Sequence, residues 1–193
     1  MPGTISNNCL DIWPGYWILD FGFVSCSFYI TFATMKILMV CLGNICRSPL
    51  AEGILQNKAR RAGLSWSLDS AGTNNGYHVG EEPHHLSQKV AKLNAIDISY
   101  QRARSFTAED FDEFDKIYAM SKDVLQDMKS IAKKKFDAGK ADLLMNELFP
   151  GKNLDVPDPW YGAETGYHEV FKMIDSACDK IIERYGMKKE GRA

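Results

Sequence analysis

From residue 35 onward, short apolar runs alternate with stretches of helical period. Residues 36–42 (KILMVCL) are apolar nearly throughout, which predicts a buried strand. After the turn GNICR, Ser48 is the expected N-cap of a helix and Pro49 its first residue. Leu50, Ile54 and Leu55 share one face of that helix, and Gly63 is the expected stop. Residues 65–70 predict a second strand. Residues 74–83 read as a loop with Gly76 and Gly80, and 85–93 as an amphipathic helix with Leu86, Val90 and Leu93 in register. Thr107 is the expected cap of a short acidic helix (TAEDFDEF). Residues 116–120 (KIYAM) predict a third strand, Ser121 caps a helix over 122–132, and 141–145 is a short fourth strand. Residues 165–185 predict a long final helix whose apolar stripe is Val170, Met173, Ile174, Ala177, Ile181 and Ile182.

This alternation argues for an α/β sandwich around a small parallel sheet with right-handed crossovers. Ligands in such sheets sit outside the carboxyl ends of the strands, here Cys41–Gly43 for the first strand. No internal repeat or low-complexity segment interrupts the pattern. The run Lys133-Lys134-Lys135 reads as a solvated helix end.

Composition adds a boundary. The chain has 193 residues, 45% hydrophobic and 25% charged, which excludes a disordered chain, a collagen-like chain and a polytopic membrane protein. A net charge of −2 gives no basic surplus for nucleic acid. Residues 1–34 hold no Lys or Arg, two acids (Asp11 and Asp20) and eight of the 22 aromatics. Three readings compete for them. A signal peptide lacks its basic n-region, and Val24-Ser25-Cys26 is only a weak match to a lipoprotein site. A membrane span is short of apolar length, with 15 uncharged residues between Asp20 and Lys36. The favoured reading is an N-terminal extension over 1–34 without a fold of its own, followed by one domain over 35–193. Five scattered cysteines do not make a disulfide scaffold.

The chemistry concentrates in Cys41-Leu42-Gly43-Asn44-Ile45-Cys46-Arg47-Ser48. A loop between a buried strand and a helix start turns backbone N–H groups inward, and with the helix dipole these make an anion site. Gly43 and Asn44 tolerate the dihedrals such a curl needs. Arg47 offers a bidentate fork to phosphate oxygens. Cys41 then lies beneath the anion, in a positive environment that favours the thiolate, with the Ser48 hydroxyl as a donor to its sulfur. No Gly-Lys-Ser/Thr follows, so this is not a nucleotide P-loop.

The segment VCLGNICRSPLAE resembles the signature of the low-molecular-weight protein tyrosine phosphatases, and the resemblance runs through 36–184. It includes Asp69-Ser70-Ala71-Gly72-Thr73, Ala103-Arg104 before Phe106-Thr107, and Asp158-Pro159-Trp160-Tyr161. It implies a three-layer sandwich with a four-stranded parallel sheet, and a cytoplasmic, metal-free and cofactor-free protein-tyrosine-phosphatase. Cys41 matches the nucleophile, Arg47 the phosphate-binding arginine and Asp158 the general acid. Leu42, Gly43, Asn44, Ile45, Cys46 and Ser48 complete the phosphate loop. Asn44 would be held by Ser48 and Ser70. A histidine common in that network is matched by Gln101. Tyr77, Trp160 and Tyr161 match the walls of a cleft for the phosphotyrosine ring. Relatives with threonine at the position of Ile45 act on phosphoarginine; Ile45 resembles the tyrosine-specific form. Members with a second loop cysteine, matching Cys46, form a protective disulfide with the nucleophile, so Cys41 and Cys46 form the implied redox pair. The partners implied are a phosphotyrosine protein or a small aryl phosphate, with no nucleic acid or membrane, and a monomer or weak dimer.

Two other functions share parts of this pattern. A thiol-dependent arsenate reductase needs a downstream cysteine relay, and only Cys178 follows Cys46. A non-catalytic phosphate-binding module has no use for Cys41 and Asp158 together. His84-His85 lack partners at metal-site spacing and read as exposed, His168 reads as lying on the exposed face of the final helix, and Cys178 reads as packed.

Overall fold

Strand β1 (Lys36–Cys41) is flanked on both sides by parallel neighbours, and every residue after Lys36 is buried. Its side chains alternate between two cores. Ile37, Met39 and Cys41 face one; Leu38 and Val40 face the other. That is why the run KILMVCL reads as continuously apolar rather than alternating. The computed structural model of the chain describes residues 34–74 and 76–186. Apart from Thr34, the expected N-terminal extension, with Cys9 and Cys26, lies outside the described residues.

The sheet has four strands in the order β2-β1-β3-β4, all parallel, with β2 at Ser67–Gly72, β3 at Lys116–Ala119 and β4 at Ala141–Leu143. One face is covered by α1 (Arg47–Arg61), α2 (His85–Leu93) and α5 (Glu164–Ile181). They contribute Leu50, Ile54 and Leu55, then Val90, then Val170, Ile174, Ala177 and Ile181 to the first core. The other face carries α3 (Asp110–Glu113) and α4 (Lys122–Ala132), whose Phe111, Val124 and Met128 pack with Phe106 and Phe114. The result is the expected three-layer α/β sandwich. Among the described residues no helix is long and apolar enough to cross a membrane.

The boundaries differ from expectation where side chains act on tertiary partners. Strand β2 starts at Ser67, two residues late, because Trp66 is taken into the first core. Strand β4 ends at Leu143 and passes into a 3-10 turn at Leu144–Glu147. Helix α5 starts one residue early and ends at Ile181, and a wider turn continues to Gly186. Thr107 does not cap α3; the reverse holds, since its N–H donates to Asp110 Oδ2 at 2.8 Å. Ser48 is not an N-cap either. It lies inside α1, whose cap position is Cys46, and its hydroxyl is committed elsewhere. Ser121 does cap α4, accepting from the Val124 N–H at 3.5 Å.

Ile174 is fully buried between α5 and the sheet. Ile174→Ala is expected to cost about 2–5 kcal/mol, read as a lowered urea midpoint at unchanged slope. An unaltered midpoint would contradict the placement of α5 over the first core.

Candidate active site

Strand β1 delivers Cys41 to the carboxyl edge of the sheet, level with Gly72 of β2. The chain then curls through 42–46 and enters α1. The curl turns on Asn44, whose φ of 56° is left-handed. Neighbouring glycines make room for it. A Cβ on Gly72 would sit 2.8 Å from the Leu42 carbonyl oxygen, and one on Gly43 would sit 3.1 Å from His78 Cδ2. The loop is stitched to the chain after β2 by Thr73 N–H to Cys41 O at 3.0 Å and Asn74 N–H to Leu42 O at 2.9 Å.

Asn44 is buried, and its side chain distributes the hydrogen bonds of the site. Its Oδ1 accepts from the Arg104 N–H at 2.8 Å, and since a backbone N–H only donates, the amide orientation is settled. Its Nδ2 then donates to Ser48 Oγ and Ser70 Oγ, each at 2.9 Å. Each serine passes on its own proton. Ser48 donates to Cys41 Sγ at 3.0 Å, and Ser70 donates to Glu52 Oε2 at 2.7 Å. The Asn44 N–H adds a second donor to Cys41 Sγ at 3.2 Å. Two donors on one sulfur stabilise negative charge there. Arg104, whose backbone holds Asn44, is itself pinned by Asp69 at 2.8 Å and Asp110 at 3.1 Å.

The expected supports thus divide. Ser48 and Ser70 take their places. Gln101 is buried beside Glu52, whose carboxyl pKa it acts to lower, and makes no hydrogen bond to Asn44, Ser48 or Ser70. The far end of the network is Glu52 instead. Its carboxyl is pushed up to about 7, mainly by burial and against the Ser70 hydrogen bond. Glu52 was missed as a member of this network, although Asn44, Ser48 and Glu52 are spaced by four, which places Ser48 and Glu52 on one face of α1.

Arg47 is buried. Its Nη1 donates to Val156 O at 3.2 Å and its Nη2 to Asp158 Oδ2 at 2.6 Å, while its Nε is buried without a partner. The segment that carries Asp158 is anchored to the sheet: Val156 N–H donates to Met120 O at 2.8 Å, and Met120 N–H to Val40 O at 2.9 Å. Asp158 Oδ1 accepts from the Trp160 N–H at 3.1 Å.

These groups open on a cleft of about 340 Å³ lined by Cys41, Leu42, Gly43, Ile45, Cys46, Arg47, Tyr77, Asp158, Trp160 and Tyr161. Tyr77 and Tyr161 are 78% and 96% exposed, so they form a rim and not core packing. His78 is a wall residue that sequence reasoning missed. Its ring lies between Tyr77 (centroids 4.8 Å apart) and Trp160 (5.9 Å), and its Nδ1 is 2.8 Å from Glu81 Oε2. His85 is exposed, but His84 is half-buried and engaged by Tyr167. Cys41, Cys46 and Cys178 are unpaired thiols in the structure, and Cys178 is fully buried, as expected. Among the described residues no cluster of three His, Cys, Asp or Glu could hold a metal ion.

A family model described as low molecular weight phosphotyrosine protein phosphatase matches residues 36–192. The human low molecular weight phosphotyrosine protein phosphatase is 34% identical over 79% of this chain and 96% of its own length. The crystal structure of YfkJ from Bacillus subtilis superposes with a TM-score of 0.74 at 34% identity, covering 82% of this chain and 98% of that one. A Drosophila arginine phosphatase superposes with a TM-score of 0.72 at 29% identity, covering 80% and 100%.

The Glu52 carboxyl has a higher affinity for its proton in the fold than in the unfolded chain. The stability this brings is complete below the ordinary carboxylate value and is lost as pH rises through about 7. Measured by urea unfolding across pH, the advantage of the wild type over Glu52→Gln is expected to shrink by on the order of 3 kcal/mol between pH about 4.5 and above 7. A pH-independent difference would contradict a buried, proton-binding Glu52.

Proposed function

The chain belongs to the low molecular weight phosphotyrosine protein phosphatase family, and on that premise we propose that Cys41 is the nucleophile, Arg47 the phosphate clamp and Asp158 the general acid and base of a protein-tyrosine-phosphatase. The observation that carries this assignment is the convergence of the three on one cleft: a sulfur receiving two donors, and above it the Arg47–Asp158 pair at 2.6 Å.

The reaction follows from that geometry. Uncatalysed hydrolysis of a phosphate monoester is so slow that enzymes supply up to ~10²¹-fold acceleration, nearly all of it by positioning and charge stabilisation. The phosphoryl oxygens take the loop N–H groups and the Arg47 fork, including the Nε that has no acceptor within the protein. They replace Asp158 on Arg47 and free its carboxyl to reach the leaving oxygen. Cys41 Sγ attacks phosphorus, the bond to the phenolic oxygen breaks, and Asp158 protonates that oxygen. Asp158 then takes a proton from the water that cleaves the phosphocysteine. The Ser48 hydroxyl, 3.0 Å from Cys41 Sγ, stabilises the sulfur as it departs.

Phosphotyrosine is the substrate this cleft fits best. Trp160, Tyr77 and Tyr161 offer flat apolar walls to an aryl ring. Ile45 is buried at the loop and presents no hydroxyl to a guanidinium. In this reading the enzyme is cytoplasmic and acts as a monomer or weak dimer on phosphotyrosine proteins. Cys178 is fully buried on α5 and gives an arsenate-reducing relay no accessible thiol. Cys46 is the second thiol of a protective disulfide with Cys41.

Cys41→Ser is expected to abolish p-nitrophenyl phosphate turnover, and Asp158→Ala to cost roughly 10²–10⁴-fold in kcat. Turnover retained by the Cys41 variant would remove the nucleophile assignment. After a peroxide pulse, thiol treatment is expected to restore the wild type but not Cys46→Ala. Equal recovery of the two would end the disulfide reading.

A further inference from the structure

Three side chains at the end of the phosphate loop have no role in the proposed phosphoryl transfer. Cys46 ends the loop, His84 precedes α2, and Tyr167 on α5 is fully buried. The Tyr167 hydroxyl bridges the other two, with its oxygen 3.7 Å from Cys46 Sγ and 2.9 Å from His84 Nδ1.

The direction of these bonds can be deduced. The Leu86 N–H, which only donates, points at His84 Nδ1 from 3.4 Å. Nδ1 is therefore an acceptor and the ring proton is on Nε2. Tyr167 has one proton and gives it to Nδ1. Its oxygen is then left to accept from the Cys46 S–H. The ordering Cys46 → Tyr167 → His84 is the one arrangement that satisfies all three.

The chain of donors is rigidly held. The His84 and Tyr167 rings stack with centroids 5.4 Å apart and planes 14° apart, and Trp160 lies against the imidazole at 5.2 Å. His84 N–H donates to Ile45 O at 2.7 Å, and Ser87 Oγ donates to Cys46 O at 3.3 Å, so α2 grips the loop on either side of the Cys46 thiol.

We propose that Tyr167 and His84 relay the proton of Cys46 when that thiol attacks an oxidised Cys41. The proposal rests on the Cys41–Cys46 pairing above and adds the two residues that enable it. A hydroperoxide first oxidises the Cys41 thiolate: sulfur takes the terminal oxygen, the O–O bond breaks, and the hydroperoxide is reduced to an alcohol or water. In the resolving step the Cys46 proton moves to Tyr167 as the Tyr167 proton moves to His84 Nδ1. The Cys46 sulfur forms the S–S bond, the S–O bond on Cys41 breaks, and the leaving hydroxide takes a proton from solvent. His84 then releases its extra proton to solvent. The sum is a thiol plus a sulfenic acid giving a disulfide plus water.

The surroundings explain why help is needed. Burial pushes the Cys46 thiol up to about 12, so at neutral pH its thiolate is scarce. Cys41 and Asp158 add to that shift, and Asp158 also acts on Tyr167. Burial, with His85 at 4.3 Å, holds His84 below the ordinary imidazole value, which keeps it neutral and able to accept.

The test uses the full chain, a hydrogen peroxide pulse, an alkylating quench at timed intervals, and peptide mass spectrometry for Cys41–Cys46 disulfide and Cys41 sulfinic acid. Tyr167→Phe keeps the ring. His84→Asn keeps a cap acceptor for the Leu86 N–H but supplies no base. Both variants are expected to form the disulfide about ten-fold or more slowly and to accumulate sulfinic acid, with p-nitrophenyl phosphate turnover unchanged as proof of an intact fold. In the wild type the resolution rate is expected to fall as pH drops through the His84 titration, and His84→Asn is expected to lack that component. Disulfide formation at the wild-type rate in either correctly folded variant, or an unaltered pH profile in His84→Asn, overturns the relay. Wild-type enzyme that turns over substrate but forms no Cys41–Cys46 disulfide overturns the relay together with the redox pairing, and leaves the phosphatase assignment standing.

Discussion

The site depends on one amide. Asn44 adopts a left-handed conformation that costs an L-residue roughly 1–2 kcal/mol, and it does so at the point where the chain must turn back over Cys41. Three side-chain hydrogen bonds of about 1 kcal/mol each, to the Arg104 N–H, Ser48 and Ser70, are enough to hold it. Because Asn44 gives away both amide protons, each serine can give away its own. One goes to the sulfur of Cys41, the proposed nucleophile, and one to a buried carboxyl. The geometry of the loop and the hydrogen bonds on the Cys41 sulfur are therefore set by the same network.

The rest of the fold serves that arrangement. Parallel strands bring the carboxyl ends of β1, β2 and β3 to one edge. β1 supplies Cys41, β2 supplies Ser70 and Gly72, and the end of β3 holds Val156 through Met120, which sets Asp158 over Arg47. A local interaction could not bring residues 41 and 158 together; the sheet does. The rim is built differently. Tyr77 and Tyr161 are exposed and lie on loops, whereas the floor is fixed by buried bonds.

Much of this was legible in the amino-acid sequence, for identifiable reasons. Buried strands and amphipathic helices announce themselves by period, so the four strands and the helices over α1, α2, α4 and α5 were readable to within four residues. The loop was readable because its chemistry needs a cysteine, an arginine and an asparagine at fixed spacing. What escaped was whatever depends on a tertiary partner. Ser48 was legible as a donor to the Cys41 sulfur, but its exclusion from the helix cap, which falls at Cys46, was not. Glu52 looks like a solvent-facing helical residue until Ser70 is placed beside it. Gln101 reads as a support of Asn44, and it is found beside Glu52 at the far end of the network. His84 looked exposed because its partner, Tyr167, lies 83 residues away.

The central claim is that Cys41 takes the phosphoryl group. Rapid acid quench of the enzyme during steady-state turnover of a phosphotyrosine peptide, followed by proteolysis and mass spectrometry, tests it most directly. The account predicts a phosphoryl mass on the peptide containing Cys41, localised to its sulfur. A phosphoryl group on any other residue, or its absence throughout turnover, would contradict the account.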